Sequence, residues 1–245
     1  MNQLEQLIIP DWPAPANVQA LQTTRLGGIS STPYDSLNLG DHVGDAPLSV
    51  ARNRMLLNTL LPSEPVWLEQ VHGTVVANAD MASCLPQADA CIARHRDAVC
   101  VVMTADCLPV LLCDQQGSVV GAAHAGWKGL LAGVIEATVR EMNVAPENLM
   151  VWLGPAISQP AFEVGEEVRA AFTARQSQAS AAFVPGRNSR WLADLEALAR
   201  MRLDELGVKK IYGGGYCTYR DKERFFSYRR DGVTGRMGTF IWLER

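Results

Sequence analysis

His72, Cys107 and His124 stand in Gln70-Val71-His72-Gly73, Thr104-Ala105-Asp106-Cys107 and Ala123-His124-Ala125-Gly126-Trp127, each at the edge of an apolar run. The chain has four histidines in all, so two in such settings with a cysteine between them form a pattern. Two imidazoles and a thiolate suit zinc, and three protein ligands leave the fourth tetrahedral position open to water or substrate. No HExxH or CxxC spacing accompanies them. Taken singly, each residue is more often a hydrogen-bonded semi-core histidine or an inert thiol.

Other residues near these segments carry polar chemistry. Asp106 adjoins Cys107, and Asp89 lies in Ala88-Asp89-Ala90; either is a candidate proton carrier. Ala125-Gly126-Trp127-Lys128-Gly129 opens a helix, where backbone N–H groups and the Lys128 charge favour an anion. The same glycines could instead serve tight helix–strand packing. The spacing is not that of a Walker loop. Arg25 and Arg54 have the forked geometry for phosphate or carboxylate, although most surface arginines are only solvated. Asn38, between Leu37 and Leu39, is similarly ambiguous.

The elements that must position these groups are legible in the apolar spacing. Residues 99–104 and 108–113 are continuous apolar runs, as in strands buried on both faces, interrupted at Asp106-Cys107. A third strand over 118–123 ends at His124, and the spacing from Trp127 to Met142 predicts one helix. A strand is expected over 149–153, helices over 165–175 and 192–206, and strands near 209–212 and 239–243. Residues 49–61 read as a short amphipathic helix stopped by Pro62. The Gly-, Pro-, Ser- and Asn-rich first forty residues fit modest strands joined by long ordered loops. One domain over 1–245, of mixed α and β structure with sheets flanked by helices, is the economical reading.

Composition narrows the function classes. At 48% hydrophobic and 20% charged residues, the chain has the balance of a soluble globular protein. A formal charge of −4 and no basic block argue against nucleic-acid and membrane-surface partners. No apolar window approaches a transmembrane span, and Met1–Pro10 lacks the features of a targeting segment. The six cysteines (84, 91, 100, 107, 113 and 217) form no CxxC pair, and several sit in Val/Leu-rich runs. Reduced thiols in a cytoplasmic protein are expected.

The ordered segments together closely resemble one family. They are Thr23-Thr24-Arg25-Leu26-Gly27-Gly28, Pro33-Tyr34-Asp35-Ser36-Leu37-Asn38-Leu39-Gly40, Trp67-Leu68-Glu69-Gln70-Val71-His72-Gly73 and Thr104-Ala105-Asp106-Cys107-Leu108-Pro109. His124-Ala125-Gly126-Trp127-Lys128-Gly129-Leu130, Leu153-Gly154-Pro155-Ala156-Ile157, Phe162-Glu163-Val164-Gly165 and Phe225-Phe226-Ser227-Tyr228-Arg229-Arg230-Asp231 follow, the last running on through Arg236-Met237. The resemblance, to the YfiH or laccase-domain (polyphenol-oxidase) family, runs from about Pro10 to the C-terminus. It implies a single YfiH-like α/β (α+β) domain and a zinc held by His72, Cys107 and His124. It also implies phosphorolysis of adenosine, inosine and methylthioadenosine, with adenosine deamination alongside.

On that resemblance the partners are a nucleoside and phosphate, and the chain is expected to be a monomer or weak homodimer. Catalytic roles fall to Cys107, Asp106 and Asp89, and substrate binding to Arg25, Asn38, Arg54 and Lys128. Two positions depart from the family pattern: Lys128 where Arg is common, and Ser158-Gln159 where Gly-Pro is frequent. A bidentate anion contact at Lys128 is weakened accordingly. The alternatives are a thiol hydrolase using Cys107 with a histidine base, or a zinc-water hydrolase editing UDP-muramyl amino-acid precursors of peptidoglycan. Copper in the zinc site would give phenol oxidation. His42, His72, His95 and His124 are too few for both a blue-copper centre and a trinuclear cluster.

Overall fold

The two continuous apolar runs become neighbouring strands of different sheets, and everything around the site follows from that. A computed structural model describes residues 7–81 and 85–244. Cys84 and the segment Met1–Gln6 lie outside the described residues. The first half contains β1 (Val18–Gln22), α1 (Pro47–Leu57), β2 (Val76–Asn78), β3 (Ala90–Ala93), β4 (Cys100–Thr104), β5 (Leu108–Asp114), β6 (Val120–Ala125) and α2 (Trp127–Ala132). The second half adds α3 (Val134–Met142), β7 (Leu149–Leu153), β8 (Glu163–Val164), α4 (Glu166–Arg175), β9 (Phe183–Pro185) and β10 (Trp191–Ala193). It closes with α5 (Leu195–Leu206), β11 (Lys210–Gly213), α6 (Tyr228–Asp231) and β12 (Met237–Leu243).

Six strands form a mixed sheet in the order β11-β7-β5-β6-β3-β2, three form β1-β12-β4, and three short ones form β8-β10-β9. Alternation along β5 shows how the layers stack. Leu108, Val110 and Leu112 pack with Ile135 of α3 and Leu198 of α5. Leu111 and Cys113 point the other way, onto Cys100 and Val102 of β4 and Ile241 of β12. β4 in turn sends Val101 and Met103 to a third core with Leu57 of α1 and Trp67. Both β4 and β5 are therefore covered on both faces, which explains why their sequences show no polar alternation. Each fully buried aliphatic on these faces contributes about 1.5–3 kcal/mol.

Several boundaries differ from the sequence reading. The helix expected over 127–142 is two helices, because Gly133 takes φ +106° and both caps α2 and starts α3. No residue with a Cβ adopts that conformation readily. The apolar periodicity survives the break, so spacing alone did not reveal it. The helix expected to begin at Leu192 begins at Leu195; Trp191–Ala193 is a strand, and Asp194 caps the helix by accepting from the Ala197 N–H. α1 runs from Pro47 to Leu57 instead of 49–61. β6 continues past His124 to Ala125.

In the first forty-odd residues β1 is the named strand, and the loops after it are held by side-chain scaffolding. Buried Asn53 of α1 accepts from the Ile29 N–H and donates to Ser30 Oγ and the carbonyls of Ser36 and Asn38. The five described cysteines are all free. No helix among the described residues is long and apolar enough to cross a membrane.

Candidate metal centre

Strand register brings the key residues together. In the large sheet β5, β6 and β3 are adjacent, with Leu108 opposite Ala125 and Ala90 opposite Ala123. Cys107 immediately precedes β5, His124 lies one residue from the end of β6, and Asp89 immediately precedes β3. All three therefore emerge at one edge of the sheet, and the His124 N–H donates to the Asp89 carbonyl at 2.7 Å. His72 arrives from the loop between the Trp67 segment and β2, with φ +61°.

Asp89 holds that loop in place. Its carboxylate, fully buried, accepts from the N–H groups of Val71 (3.1 Å), His72 (2.9 Å) and Gly73 (2.6 Å). It also contacts His124 Nδ1 at 2.8 Å. Burial alone would raise this carboxyl, but His124 and the backbone donors hold it below the usual carboxylate range. With Nδ1–H committed to Asp89, the Nε2 atom of His124 is left as its metal-binding atom, a carboxylate–histidine arrangement typical of metal sites.

The donor atoms of His72, Cys107 and His124 lie within 4.8 Å of one another. His72 Nε2 is 3.8 Å from Cys107 Sγ, and the two imidazole rings meet at 67° with centroids 4.8 Å apart. Bond lengths of about 2.3 Å to sulfur and 2.0–2.1 Å to nitrogen put tetrahedral ligand atoms about 3.3–3.6 Å apart, close to the His72–Cys107 separation, so the donor set needs only a small contraction to hold a zinc-sized ion. Electrostatics agree. Burial would raise the Cys107 thiol, yet the His124 charge and hydrogen bonds from both histidines bring it down to about 6. Burial likewise opposes protonation of His124, but Cys107 and Asp89 raise it to about 9. Each group thus favours the charged form of the other, and a bound cation would take over the stabilisation of the thiolate.

Gly126 is the reason the ligands can approach α2. A Cβ there would lie 2.8 Å from Cys107 Sγ and 2.9 Å from His72 Cδ2. Gly129 similarly faces the Gly73 carbonyl, at 3.1 Å from its Cβ position. These glycines therefore serve close packing of α2 on the ligand loops. Gly126→Ala is expected to force about 1–3 kcal/mol of strain into the ligands and to weaken zinc binding about 10-fold. Competition titration with a chromophoric chelator reads this directly.

Two cavities flank the cluster. One, of about 310 Å³, is lined by His72, Cys107, Trp127, Lys128, Phe162 and Arg229, among others. The other, of about 440 Å³, is lined by His42, Gln70, Thr104, Cys107, His124 and Arg236, among others. Tyr228 of α6 borders both. Lys128 is thus the anticipated substrate-binding residue that the fold brings to the cluster.

The others lie elsewhere. Arg25 lines a separate polar cleft and donates to the carbonyls of Asp35 and Lys222 and to the Asp35 carboxylate. Arg54 donates twice to the Leu39 carbonyl and stacks on Trp67 at 3.8 Å. Buried Asn38 bonds Gly40, Asp45 and the Arg236 N–H. All three tie loops together. Asp106 lines the smaller cavity, but its carboxylate oxygens accept from Thr218 Oγ1 and the Arg229 N–H, both at 2.6 Å. It anchors the start of α6, so both oxygens of this candidate proton carrier are engaged in holding the cavity wall. Tyr228, Arg236 and Gln70 were not singled out as site residues by sequence reasoning, although the first two lie in the long Phe225–Met237 motif.

A family model described as multi-copper polyphenol oxidoreductase laccase matches residues 19–244. A purine nucleoside phosphorylase of Pseudomonas aeruginosa is 53% identical over 238 residues, covering 97% of this chain and 98% of the relative. Purine nucleoside phosphorylase YfiH of Escherichia coli is 54% identical over 243 residues, covering 98% and 100%. The crystal structure of a Neisseria meningitidis DUF152 protein superposes with a TM-score of 0.95 at 50% identity, covering 98% of this chain and all of that one. The "multi-copper" description is not matched by donors here: of the four histidines, only His72 and His124 share a metal-ligating cluster among the described residues.

Proposed function

Because the chain belongs to the YfiH, or laccase-domain, family, we propose that it is a zinc-dependent purine nucleoside phosphorylase. The observation that carries this reading is the His72–Cys107–His124 cluster opening onto two adjoining cavities, sized for two reactants. His72, Cys107 and His124 would hold a zinc ion, which would supply Lewis-acid chemistry to the adjoining cavities.

The chain's own groups do the rest. Trp127, Phe162 and Tyr228 offer aromatic faces to a purine in the smaller cavity. Asp89 fixes the tautomer and orientation of His124, and Gln70 braces the wall of the larger cavity by bonding both the N–H and the carbonyl of Met103. Phosphorolysis breaks the bond from C1′ to the purine nitrogen and forms one from C1′ to a phosphate oxygen. The purine takes up a proton as it leaves, and the sugar 1-phosphate is released: ribose 1-phosphate from adenosine or inosine, 5-methylthioribose 1-phosphate from methylthioadenosine. Adenosine, inosine and methylthioadenosine are the substrates in this reading. Adenosine deamination, in which water attacks C6 and ammonia leaves to give inosine, is the accompanying activity.

The test is adenosine turnover with and without phosphate, in zinc-loaded and chelator-stripped protein. Ribose 1-phosphate is expected only when both phosphate and metal are present, and zinc re-addition restores it. Equal base release without phosphate would replace the phosphorylase with a hydrolase.

A further inference from the structure

Arg236 stands out among the arginines described above. Its Nη1 donates to the carbonyls of Thr234 and Gly235, and its backbone N–H donates to Asn38 Oδ1. Its Nε and Nη2 have no partner among the described residues, and it belongs to no ion pair there. By contrast Arg25, Arg54 and Arg230 direct the open edge of their forks onto carbonyls or carboxylates. Arg236 is also largely withdrawn from water, and burial lowers its pKa. The Cys107 and Asp106 charges act on it through space, but no described acceptor meets Nε or Nη2 directly, which leaves that edge of the fork free to take an anion.

A second unsatisfied group lies on the same cavity. Thr104, the last residue of β4 and 1% exposed, lines it together with Arg236, and its Oγ1 has no hydrogen-bond partner among the described residues. Buried hydroxyls normally find one. Gln70 borders the cavity too, but both ends of its amide are already taken by Met103. The cations of the smaller cavity differ. Arg229 donates to the Glu163 carbonyl and stacks on Phe162 at 5.3 Å, and Lys128 lies over Trp127 at 5.7 Å. Arg236 itself lies over Tyr228 at 5.9 Å, and Arg229 also leaves Nε and Nη2 unbonded among the described residues, but Arg229 and Lys128 are exposed, whereas the larger cavity sets a half-buried guanidinium beside an orphaned hydroxyl.

We propose that the cavity lined by Arg236 and Thr104 is a phosphate subsite beside the His–Cys–His cluster, in which the free edge of the Arg236 fork binds tetrahedral oxyanion oxygens, joined by the Thr104 hydroxyl once rotation about Cα–Cβ turns it out of the wall. This deepens the phosphorylase reading, and assigns the co-substrate to the opposite side of Tyr228 from the aromatic cavity. The same chemistry would take either free inorganic phosphate or the phosphate monoester of a nucleotide.

The experiment is titration calorimetry with inorganic phosphate, and separately with adenosine 5′-monophosphate. It is run on metal-free and zinc-loaded protein, with phosphate and nucleoside KM values beside it. Arg236→Met is expected to weaken phosphate binding about 10- to 150-fold, with adenosine KM and zinc content unchanged. Arg236→Lys, which keeps the charge but not the fork, restores part of it. Thr104→Val is the second variant. It should weaken phosphate binding about 2- to 12-fold while leaving Tm unchanged or raised, because the hydroxyl it removes is unsatisfied without the anion. A Tm lowered by Thr104→Val, with phosphate binding intact, would overturn the assignment of that hydroxyl.

Unchanged phosphate affinity in a folded, zinc-replete Arg236→Met protein would overturn the subsite. Arg236-dependent phosphate binding without phosphorolysis of any purine nucleoside would keep the subsite and remove the phosphorylase reading. Arg236-dependent binding of the monophosphate but not of free phosphate would make the ligand a nucleotide. Phosphorolysis with a phosphate KM indifferent to Arg236 would do the reverse, keeping the enzyme and removing the subsite.

Discussion

Cys107→Ala protein is expected to purify with little zinc and to lose phosphorolysis by more than about 100-fold, the upper range for outer-shell changes at metal sites. The thiolate is the one anionic donor among the three, and it sits between the two imidazoles. Removing it leaves two neutral ligands, one of them on a loop. It also removes the negative charge that stabilises protonated His124, so that imidazole reverts toward its ordinary titration. Metal content by plasma mass spectrometry, with ribose 1-phosphate formation on the same samples, checks both halves. A variant retaining about one zinc per chain and full turnover would remove Cys107 from the centre. Iodoacetamide adds a second readout. A metal-bound thiolate is protected, so stoichiometric labelling of Cys107 in zinc-replete wild type would point to a free nucleophile and a thiol hydrolase.

Asp89→Asn is expected to weaken zinc binding about 10- to 100-fold and to lower stability by about 3–5 kcal/mol. The corresponding drop in Tm is on the order of 10 °C. The carboxylate accepts three backbone N–H groups and faces the His124 Nδ1 proton. An amide has one acceptor oxygen, so its NH₂ would be turned against donors, either the N–H groups of Val71 and Gly73 or those on the other side. The loss therefore reaches the His72 loop as well as His124.

The sign of the pH dependence follows from the depressed Asp89 pKa. A carboxyl whose folded value lies below its unfolded value contributes stability that is complete above the unfolded value and is lost as pH falls through the folded one. The gap between wild type and Asp89→Asn should thus be full at neutral pH and narrow below about pH 4. Thermal melts of the metal-free proteins across that range separate this effect from metal binding. A gap constant down to acid pH would mean that the ionised carboxylate is not what holds the loop.

Much of this molecule is written in local pattern. The apolar runs that became β4, β5 and β7 are legible because strands covered on both faces must be apolar throughout. The three ligand candidates could be named because soft donors at the ends of apolar runs are uncommon. Gly133 shows the limit: its positive φ breaks a helix whose hydrophobic spacing continues across the break, and periodicity does not register a single residue's dihedral. Asp89 shows another. Its neighbours in sequence are two alanines, and nothing local says that its carboxylate will meet three N–H groups sixteen to eighteen residues away.

The arginines divide the two kinds of information most clearly. Sequence alone determined the apolar strands, the His–Cys–His donor set and the family resemblance, because each depends on residue type and short-range order. It singled out Arg25 and Arg54 and did not name Arg236 as a site residue, because nothing local tells one guanidinium from another. Tertiary structure decided among them. Partners contributed by distant loops satisfy Arg25 and Arg54, while Arg236 is left with an open fork on the cavity beside Cys107. Whether a charge is satisfied or available depends on groups that only folding brings within hydrogen-bonding distance.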